Sequence, residues 1–412
     1  MSEKVSPFAS LRFAEFRNYV AGRFIFIMGL RMVGTLAGWW MYELTGNPLT
    51  LGLIGLAEVI PAVSLALYAG HVIDLTDKRK MIRITVALYA VCAVILLLLS
   101  THLVLDSLGK GFIVAGIFSV IFLTGAIRSF SGPTFSATLA QLVPKDLLQN
   151  AITWNQGSWL SASVSGHALA GFLIAFVGNT GTLMVITCLV TISFFVLSGI
   201  RPKPPINVVS EKKTWDSVKE GLRFVFHTKE VLGALTLDLF AVLFGGAVAL
   251  VPVYAKDILK VGPMGFGWLN AATDMGAIIV VLLLTLFPMR RNQGRILMFA
   301  VTGFGLCIIT FGLSTSFVLS FIALMCGGIL DGISVVIRGT ILQLKTPDEM
   351  RGRVMSVNSM FINSSNELGQ FESGLAARLM GVIPSVVFGG CMTIMVVGIT
   401  WFKAPSLRKL EY

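Results

Sequence analysis

The sequence is poor in charged residues for its length. Of its 412 residues only 13% are Asp, Glu, Lys or Arg, whereas about a quarter is usual in soluble proteins. Hydrophobic residues make up 55% of the chain, and the mean hydropathy is +0.83. With so little charge to cover a surface in water, the sequence excludes the class of soluble globular proteins.

Cysteine and histidine are also scarce, and their positions exclude two kinds of site. The five cysteines are an odd number and all fall inside apolar segments, which argues against a disulfide framework. His167 is the single histidine deep in an apolar segment, and no second His or Cys stands at ligand spacing beside it. We therefore expect no metal site.

The short motifs that mark common enzymes are missing. The sequence has no Walker-type phosphate loop, GxSxG elbow, HExxH zinc motif or dinucleotide fingerprint after a strand. We expect no enzyme activity and no cofactor, so the protein must draw energy from a gradient rather than from ATP. The alternative of a membrane-embedded enzyme has support only from carboxylates inside the apolar segments.

Apolar segments of 18 or more residues recur along the whole chain. Each is long enough to cross a bilayer core of roughly 30 Å. The pattern predicts an all-α integral membrane protein with twelve transmembrane helices. Their expected bounds are about 19–44, 50–70, 80–100, 111–142, 150–177, 180–200, 230–255, 264–287, 294–313, 317–343, 353–377 and 382–402.

The distribution of basic residues explains the net charge of +11 without nucleic acid as a partner. If both termini are cytoplasmic, the cytoplasmic segments hold 24 of the 32 Lys and Arg, the external loops three, and the spans five. This asymmetry is typical of the positive-inside rule. It predicts that both termini lie in the cytoplasm.

A long polar connection, residues 201–231, separates the first six predicted spans from the last six. Its second half has Thr214 and Asp216 at a helix start, followed by apolar residues at helical spacing. We predict an N-terminal six-helix bundle at 1–200, a cytoplasmic linker with an amphipathic surface helix at 201–229, and a C-terminal six-helix bundle at 230–412.

Weak internal similarity relates the two halves. The segment from Pro48 repeats from Pro263 at an offset of 215, and Gly166, Gly171 and Gly178 repeat as Gly369, Gly374 and Gly381 at an offset of 203. Two parallel six-helix repeats in a membrane are the plan of a transporter with a central site between its halves. The sequence therefore predicts pseudo-symmetric bundles.

The polar stretch GHVIDLTDKRK, residues 70–80, interrupts two apolar segments. It resembles the signature loop of the major facilitator superfamily, G-x-x-x-D-R-x-G-R-R/K. The matching residues are Gly70, Asp74, Lys78 and Arg79. Leu75 and Asp77 replace the usual Arg and Gly.

The resemblance implies that Gly70, Asp74, Lys78 and Arg79 form a conformational latch that holds the two halves in the outward-facing state. Gly70 would allow a tight exit from helix 2, Asp74 would accept hydrogen bonds from helix N-termini, and the two cations would anchor the loop among lipid phosphates. The alternative is a plain positive-inside loop. The counterpart PMRRNQGR, residues 288–295, has basic charge but no aspartate, so the latch is expected on one side only.

Two longer runs, residues 42–74 and 346–381, are similar to the branch of bacterial facilitators that contains the enterobactin exporter and macrolide efflux proteins. Arg128-Ser-Phe-Ser-Gly132 fits the R-x-x-x-G pattern of helix 4, whose arginine is implicated in proton coupling in drug antiporters. GHALAGF, residues 166–172, is similar to the antiporter motif G-P-x-x-x-G, with His167 in the proline position.

Polar and ionisable residues inside the predicted spans form the candidate site. A charge at that depth costs about 2.5–3.5 kcal/mol on insertion scales, so it should face a partner or a wet cavity. The proton-coupling and cavity candidates are Arg31, Glu58, Arg128, His167, Asp238, Asp274, Asp331, Arg338, Glu367 and Gln370. The carboxylates could titrate against arginine counter-charges, or form structural ion pairs that hold the bundles together.

Helix-face counting suggests several groupings of these residues. Arg31 and Glu58 could pair, and Asp331 and Arg338, seven residues apart, share one helix face. Asn363, Glu367 and Gln370 form a polar stripe at i, i+4, i+7 spacing that is expected to point into the protein. His167 could be a hydrogen-bonded packing residue or a protonation or ligand site.

These features favour a secondary active transporter that exports small amphipathic compounds, siderophores or drugs, in exchange for protons. Its expected partners are the lipid bilayer, protons and a small-molecule substrate, and we expect a monomer in the bacterial cytoplasmic membrane. An importer or facilitator of a solute such as a metal-chelator complex is the main alternative. A non-transporting sensor on the same fold is a third hypothesis.

Overall fold

The computed structural model describes residues 6–202, 214–286, 292–347 and 350–411. Helices dominate them, because long apolar segments in a bilayer must satisfy every backbone hydrogen bond internally. In chain order they are α1 Ala14–Thr45, α2 Pro48–Leu75, α3 Lys78–Leu99, α4 His102–Leu139, α5 Leu148–Ser198, α6 Thr214–His227, α7 Lys229–Phe244, α8 Gly262–Leu286, α9 Gln293–Leu313, α10 Phe317–Lys345, α11 Arg351–Met380, α12 Val382–Lys403 and α13 Pro405–Arg408.

Ten helices of the described residues are long and apolar enough to cross a membrane. One of them, at Lys145–Ser198, comprises two predicted spans joined at Gly178, whose φ of 68° breaks the helical path. The polar helix α11 adds another membrane-length helix of 30 residues. Within the described part of the chain the expected twelve-helix, all-α plan is therefore confirmed.

The seventh predicted span, 230–255, corresponds to the membrane-length helical segment Lys229–Ile258, but the type of helix changes along it. The α-helix ends at Phe244, a 3-10 helix follows at Gly246–Leu250, and a π-helix occupies Tyr254–Ile258. Two adjacent glycines, Gly245 and Gly246, carry no side chain to favour continued helix. Pro252 lacks a backbone donor and begins the short helical turn that comes next.

Contacts divide the chain into two compact units. Unit 1 consists of Met1–Trp40 and Ile60–Val209, and unit 2 of Met41–Val59 and Ser210–Tyr412. Residues 41–59, the last turn of α1 and the first half of α2, thus pack inside unit 2 although they fall within the sequence range 1–200.

The core of unit 1 forms around aromatic side chains of α1, α3 and α4. The Phe26 ring lies 5.3 Å from that of Tyr89 and 5.5 Å from that of Phe135 between centroids. All three residues are buried. Aromatic pairs at such separations add packing energy beyond the area they bury.

The core of unit 2 extends to its linker end. Val225 of α6 and Leu407 of α13 are fully buried in one cluster with residues of α7, α9, α10 and α11. Helix α6 is also tied to α11 by a salt bridge of 2.6 Å between Glu220 and Arg353. The linker helix therefore packs on unit 2 through one face.

Candidate functional site

Helices α1 and α5 of unit 1 face each other through a row of polar side chains. The Arg23 guanidinium donates to Asn155 Oδ1, and Thr35 contacts His167, so both contacts join residues 132 positions apart. A constant separation of this kind indicates two parallel helices in fixed register. It brings the predicted residues Arg31 and His167 to one helix–helix contact.

The Thr35 hydroxyl determines the hydrogen-bonding state of His167. Thr35 Oγ1 donates to the Arg31 carbonyl oxygen at 3.0 Å and lies 2.7 Å from His167 Nδ1. When the hydroxyl proton goes to the carbonyl, the hydroxyl accepts from the histidine. Neutral His167 then carries its proton on Nδ1 and has Nε2 as its acceptor nitrogen.

The Arg31 side chain, which extends from α1, contacts an aromatic ring of α5. Its guanidinium carbon lies 4.9 Å from the centre of the Trp159 ring. A cation over the face of a tryptophan is stabilised by the ring quadrupole, which offsets part of the cost of placing charge at membrane depth.

Gly166 explains how α1 and α5 approach so closely. A Cβ atom at this position would lie 2.7 Å from the Met28 carbonyl oxygen and 2.8 Å from Arg31 Cβ. The first glycine of the predicted antiporter-like motif is therefore required by packing, and it places His167 directly beside the α1 polar face.

Sequence reasoning missed a second polar group on the same face of α1. Arg23 donates to Tyr19 Oη at 3.1 Å as well as to Asn155, and Tyr19 donates to the Phe135 carbonyl oxygen at 2.8 Å. The available signal was the spacing of Arg23 and Arg31, eight residues apart, which places both on one helix face.

Arg128 is half-buried in α4, where the R-x-x-x-G pattern was identified. Its neighbour Phe130 packs against a cluster of Ala69 and Ile73 in α2 and Met81 in α3. A Cβ at Gly132 would meet nothing within 4 Å, so close packing does not explain this glycine.

Unit 2 contains a buried ion pair between α7 and α10. Asp238 pairs with Arg338, and their side chains are only 8% and 5% exposed. Face counting had placed Arg338 and Asp331 on one side of α10, but it did not identify Asp238 as the partner of the arginine.

Asp331 faces a small cavity next to this pair. The cavity is lined by Asp238, Ala241, Val242, Val301, Phe304, Leu330, Asp331 and Ser334. Two carboxylates therefore line this space, and the Arg338 guanidinium pairs with one of them. Their formal charges sum to a single negative charge, which uptake of one proton would neutralise.

Helix α11 presents two of its predicted polar residues together. Gln370 Nε2 donates to Glu367 Oε2 at 2.9 Å, and Glu367 is buried. Asn363, one turn earlier, is exposed. The inward stripe is supported by the contact of Glu367 with Gln370 and stays a prediction for Asn363.

The first half of α2 packs directly on this part of α11. A Cβ at Gly55 would lie 2.6 Å from the Glu367 carbonyl oxygen and 2.9 Å from Gln370 Cβ. Glu58, three residues further along α2, is half-buried in the same unit. Its predicted pairing with Arg31 stays a prediction.

Asp274 lies on α8 at partial burial. Helix α8 crosses α10 closely, since a Cβ at Gly276 or at Gly328 would clash with backbone atoms of the opposite helix. This crossing holds α8 against the helix that carries Asp331 and Arg338. Whether Asp274 takes part in proton coupling remains a prediction.

Two cations of the 70–80 stretch donate hydrogen bonds to backbone carbonyl groups at the ends of helices. Lys78 is buried and donates to the Ile73 carbonyl oxygen in the last turn of α2, and Arg79 Nη2 donates to the Ser198 carbonyl oxygen at 2.7 Å. Cations at helix C-termini satisfy carbonyls that lack partners within the helix. Lys78 is therefore buried away from lipid phosphates, whereas the expected anchoring of half-buried Arg79 stays a prediction.

The remaining residues of the predicted latch are Gly70 and Asp74, and Asp77 lies beside them in the sequence. Gly70 is an ordinary helical residue, because α2 continues to Leu75, and the expected tight exit at Gly70 is wrong. Asp77, a departure from the family pattern, accepts from Lys80 N at 2.8 Å and caps α3. The Asp74 side chain and residues 288–291 of the counterpart loop lie outside the described residues.

A further polar contact in unit 2 was not foreseen. Tyr42 of α1 donates to Asp257 Oδ2, and Lys256 Nζ lies 5.4 Å from the centre of the Tyr42 ring. Asp257 and Lys256 belong to the π-helix Tyr254–Ile258, a helix type that is frequent at functional sites.

Comparisons with known proteins agree with this architecture. The chain matches the transmembrane secretion effector family, MFS_3, over residues 5–411. It is 20% identical to the multidrug efflux pump Tap of Mycolicibacterium fortuitum over 384 residues, which are 90% of this chain and 91% of that protein.

Solved transporters show the same fold at low sequence identity. A D-xylose–proton symporter superposes with a TM-score of 0.72 at 12% identity, covering 99% of this chain and 100% of that one. A bacterial homologue of the iron transporter ferroportin in its inward-facing state gives 0.70 at 16% identity, covering 97% and 99%.

These matches confirm the predicted resemblance to major facilitators of the efflux branch. The protein is a multi-pass membrane transporter of small molecules and not an enzyme. The chain belongs to the transmembrane secretion effector family of the major facilitator superfamily.

Proposed function

We propose that this transporter exports small amphipathic compounds, drugs or siderophores, across the bacterial cytoplasmic membrane in exchange for protons. It does so as a monomer by alternating access, with both termini in the cytoplasm. Similarity to a multidrug efflux pump supports export, and the positive-inside charge distribution supports the orientation.

The observation that supports proton coupling best is the charge balance beside the unit 2 cavity. Asp238, Asp331 and Arg338 leave one negative charge without a compensating cation among the cavity-lining residues and their ion-pair partner. Because an unbalanced charge at membrane depth is costly, a proton from the aqueous side can relieve it. Proton release then restores the charged state for the next cycle.

The row of polar groups between α1 and α5 would supply the complementary element in unit 1. Arg31 is a fixed cation, and neutral His167 presents Nε2 as an acceptor beside it. A proton on Nε2 would place two cations next to each other, and their repulsion opposes protonation of His167. Binding of a proton or substrate at His167 would therefore depend on an anion that neutralises Arg31.

Inside-out membrane vesicles with an acidified lumen test the proposal, with ethidium as the transported probe. Wild-type vesicles should accumulate the dye, and a protonophore should abolish the accumulation. Asp331→Asn should reduce the proton-driven rate at least tenfold, whereas Asp106→Asn, a matched change at an exposed position of α4, should leave it unchanged. Undiminished accumulation after the gradient has collapsed would refute proton coupling.

An importer is the second candidate, and His167 favours it. The antiporter motif has proline at this position, but here the histidine is bound to Thr35 within an unbroken stretch of α5. Right-side-out vesicles distinguish the two directions: net uptake of a ferric chelate driven by external acid supports import, and expulsion of a preloaded compound supports export.

A further inference from the structure

A group of basic and aromatic residues lies at the linker end of unit 2, away from the candidate site. They belong to the start of α9, the end of α12 and the turn α13. The members of this basic–aromatic cluster are Arg295, Phe299, Trp401, Phe402, Lys403 and Arg408.

Aromatic contacts and a backbone hydrogen bond hold the cluster together. The Arg408 guanidinium carbon lies 5.1 Å from the centre of the Trp401 ring, and the Phe299 ring lies 6.1 Å from it. Gly294 N donates to the Leu410 carbonyl oxygen at 3.2 Å. Arg295 follows this glycine directly and Arg408 lies two residues before Leu410, so the fold brings the two arginines to one location.

The cluster combines uncompensated charge with exposed apolar surface. Phe299 is 65% and Phe402 81% exposed, and Arg295 and Lys403 are exposed as well. Within the described part of the chain neither Arg295 nor Arg408 forms a salt bridge with a carboxylate. Exposed aromatic rings next to cations at the end of a span are typical of the membrane–water interface.

We propose that the basic–aromatic cluster binds the headgroup phosphate of an anionic phospholipid in the leaflet on the linker side. Trp401 orients the Arg408 guanidinium, whose planar donors match phosphate oxygens, and Arg295 provides the second cation. Phe299 and Phe402 contact the glycerol and upper acyl region. The adjoining apolar surface selects an amphipathic ligand over a soluble phosphate.

Native mass spectrometry of the purified full chain tests the site with equimolar phosphatidylglycerol and phosphatidylcholine. The wild type should retain phosphatidylglycerol in preference. Because each arginine donates directly to the headgroup phosphate, at about a fivefold gain in affinity, Arg295→Gln/Arg408→Gln should bind about 25-fold more weakly. Arg223→Gln/Lys229→Gln removes the same charge from exposed residues of the same end and should stay within about threefold.

Three results would overturn the proposal: unchanged phosphatidylglycerol retention by the arginine variant, an equal loss in the control variant, or equal occupancy by glycerol phosphate without acyl chains. Trp401→Leu keeps the charge and removes the stacking surface, so it tests the site if the double variant does not fold. This variant should lose phosphatidylglycerol severalfold while its phosphatidylcholine retention stays unchanged, and an unaltered ratio of the two lipids would contradict the assignment.

Discussion

At the scale of single residues, the contact of Thr35 with His167 defines what the histidine can do. When its own proton goes to the Arg31 carbonyl oxygen, the hydroxyl accepts from Nδ1. The contact then orients the imidazole and leaves Nε2 as the nitrogen whose protonation can change without breaking it.

We predict that Thr35→Val destabilises the protein, because the His167 Nδ1–H loses its acceptor inside the bundle. An unsatisfied buried donor costs about 1–3 kcal/mol, which thermal unfolding in detergent should detect as a lower midpoint. Thr35→Ser keeps the hydroxyl and should unfold near the wild-type temperature. Equal midpoints for the Val and Ser variants would show that the hydrogen bond does not contribute.

The sequence identified charged residues of the site better than their partners. Arg31, His167, Asp238 and Arg338 stand out because ionisable groups are rare and costly at membrane depth. Thr35 and Asn155 do not stand out, since hydroxyls and amides are common in spans and are assigned only when the register of two helices is known. The pairing of Asp238 with Arg338 required the same three-dimensional information.

At the scale of helices, glycines set the approach of α2 to α11 in unit 2. A Cβ at Gly52 would lie 2.9 Å from the Gln370 carbonyl oxygen and 3.1 Å from Gly374 Cα. In the internal repeat, Gly52 lies in the segment that begins at Pro48, whereas Gly374 is the counterpart of Gly171. Aligning the two halves therefore does not predict that Gly52 contacts Gly374.

We predict that Gly52→Ala destabilises unit 2 by about 1–3 kcal/mol, because the methyl group has no room between the two backbones. Gly34→Ala in α1 is the control: a Cβ there meets nothing within 4 Å, and alanine favours the helix. Thermal unfolding of both variants in the same detergent measures the difference. A Gly52→Ala midpoint at or above that of Gly34→Ala would contradict the close-packing argument.

The ends of spans could be predicted where apolar runs stop, but a change of helix type inside an apolar run could not. The α-helix ends at Phe244 inside the apolar sequence FGGAVALVPVY, while the span continues to Ile258. The glycine pair and Pro252 carry the signal for a change of helix type, although they do not specify a π-helix at Tyr254–Ile258.

At the scale of the whole molecule, fold and family followed from length, hydropathy and the 70–80 stretch. These signals suffice because a bilayer admits few architectures, and long apolar segments must be helices. The substrate does not follow, since one fold hosts many cargoes through changes of a few side chains. The assignment of residues 41–59 to unit 2 was likewise unpredictable, because it depends on non-local packing.

Orientation gives a prediction for the whole chain. In a variant with its five native cysteines replaced, Asp106→Cys on α4 should react with a membrane-impermeant maleimide added to intact cells. Arg223→Cys on α6 should react only after the cells are opened, because the positive-inside rule predicts that side to be cytoplasmic. The reverse labelling pattern would require the opposite topology.

The place of residues 41–59 has a consequence for biosynthesis. Gly52 leaves the ribosome 322 positions before Gly374, the residue against which it packs. Until α11 has been translated and inserted, the glycine surface of α2 lacks the backbone that covers it in the folded protein. The segment of α1 and α2 therefore enters the bilayer long before α11, the helix against which it packs. Its final packing depends on the order of synthesis.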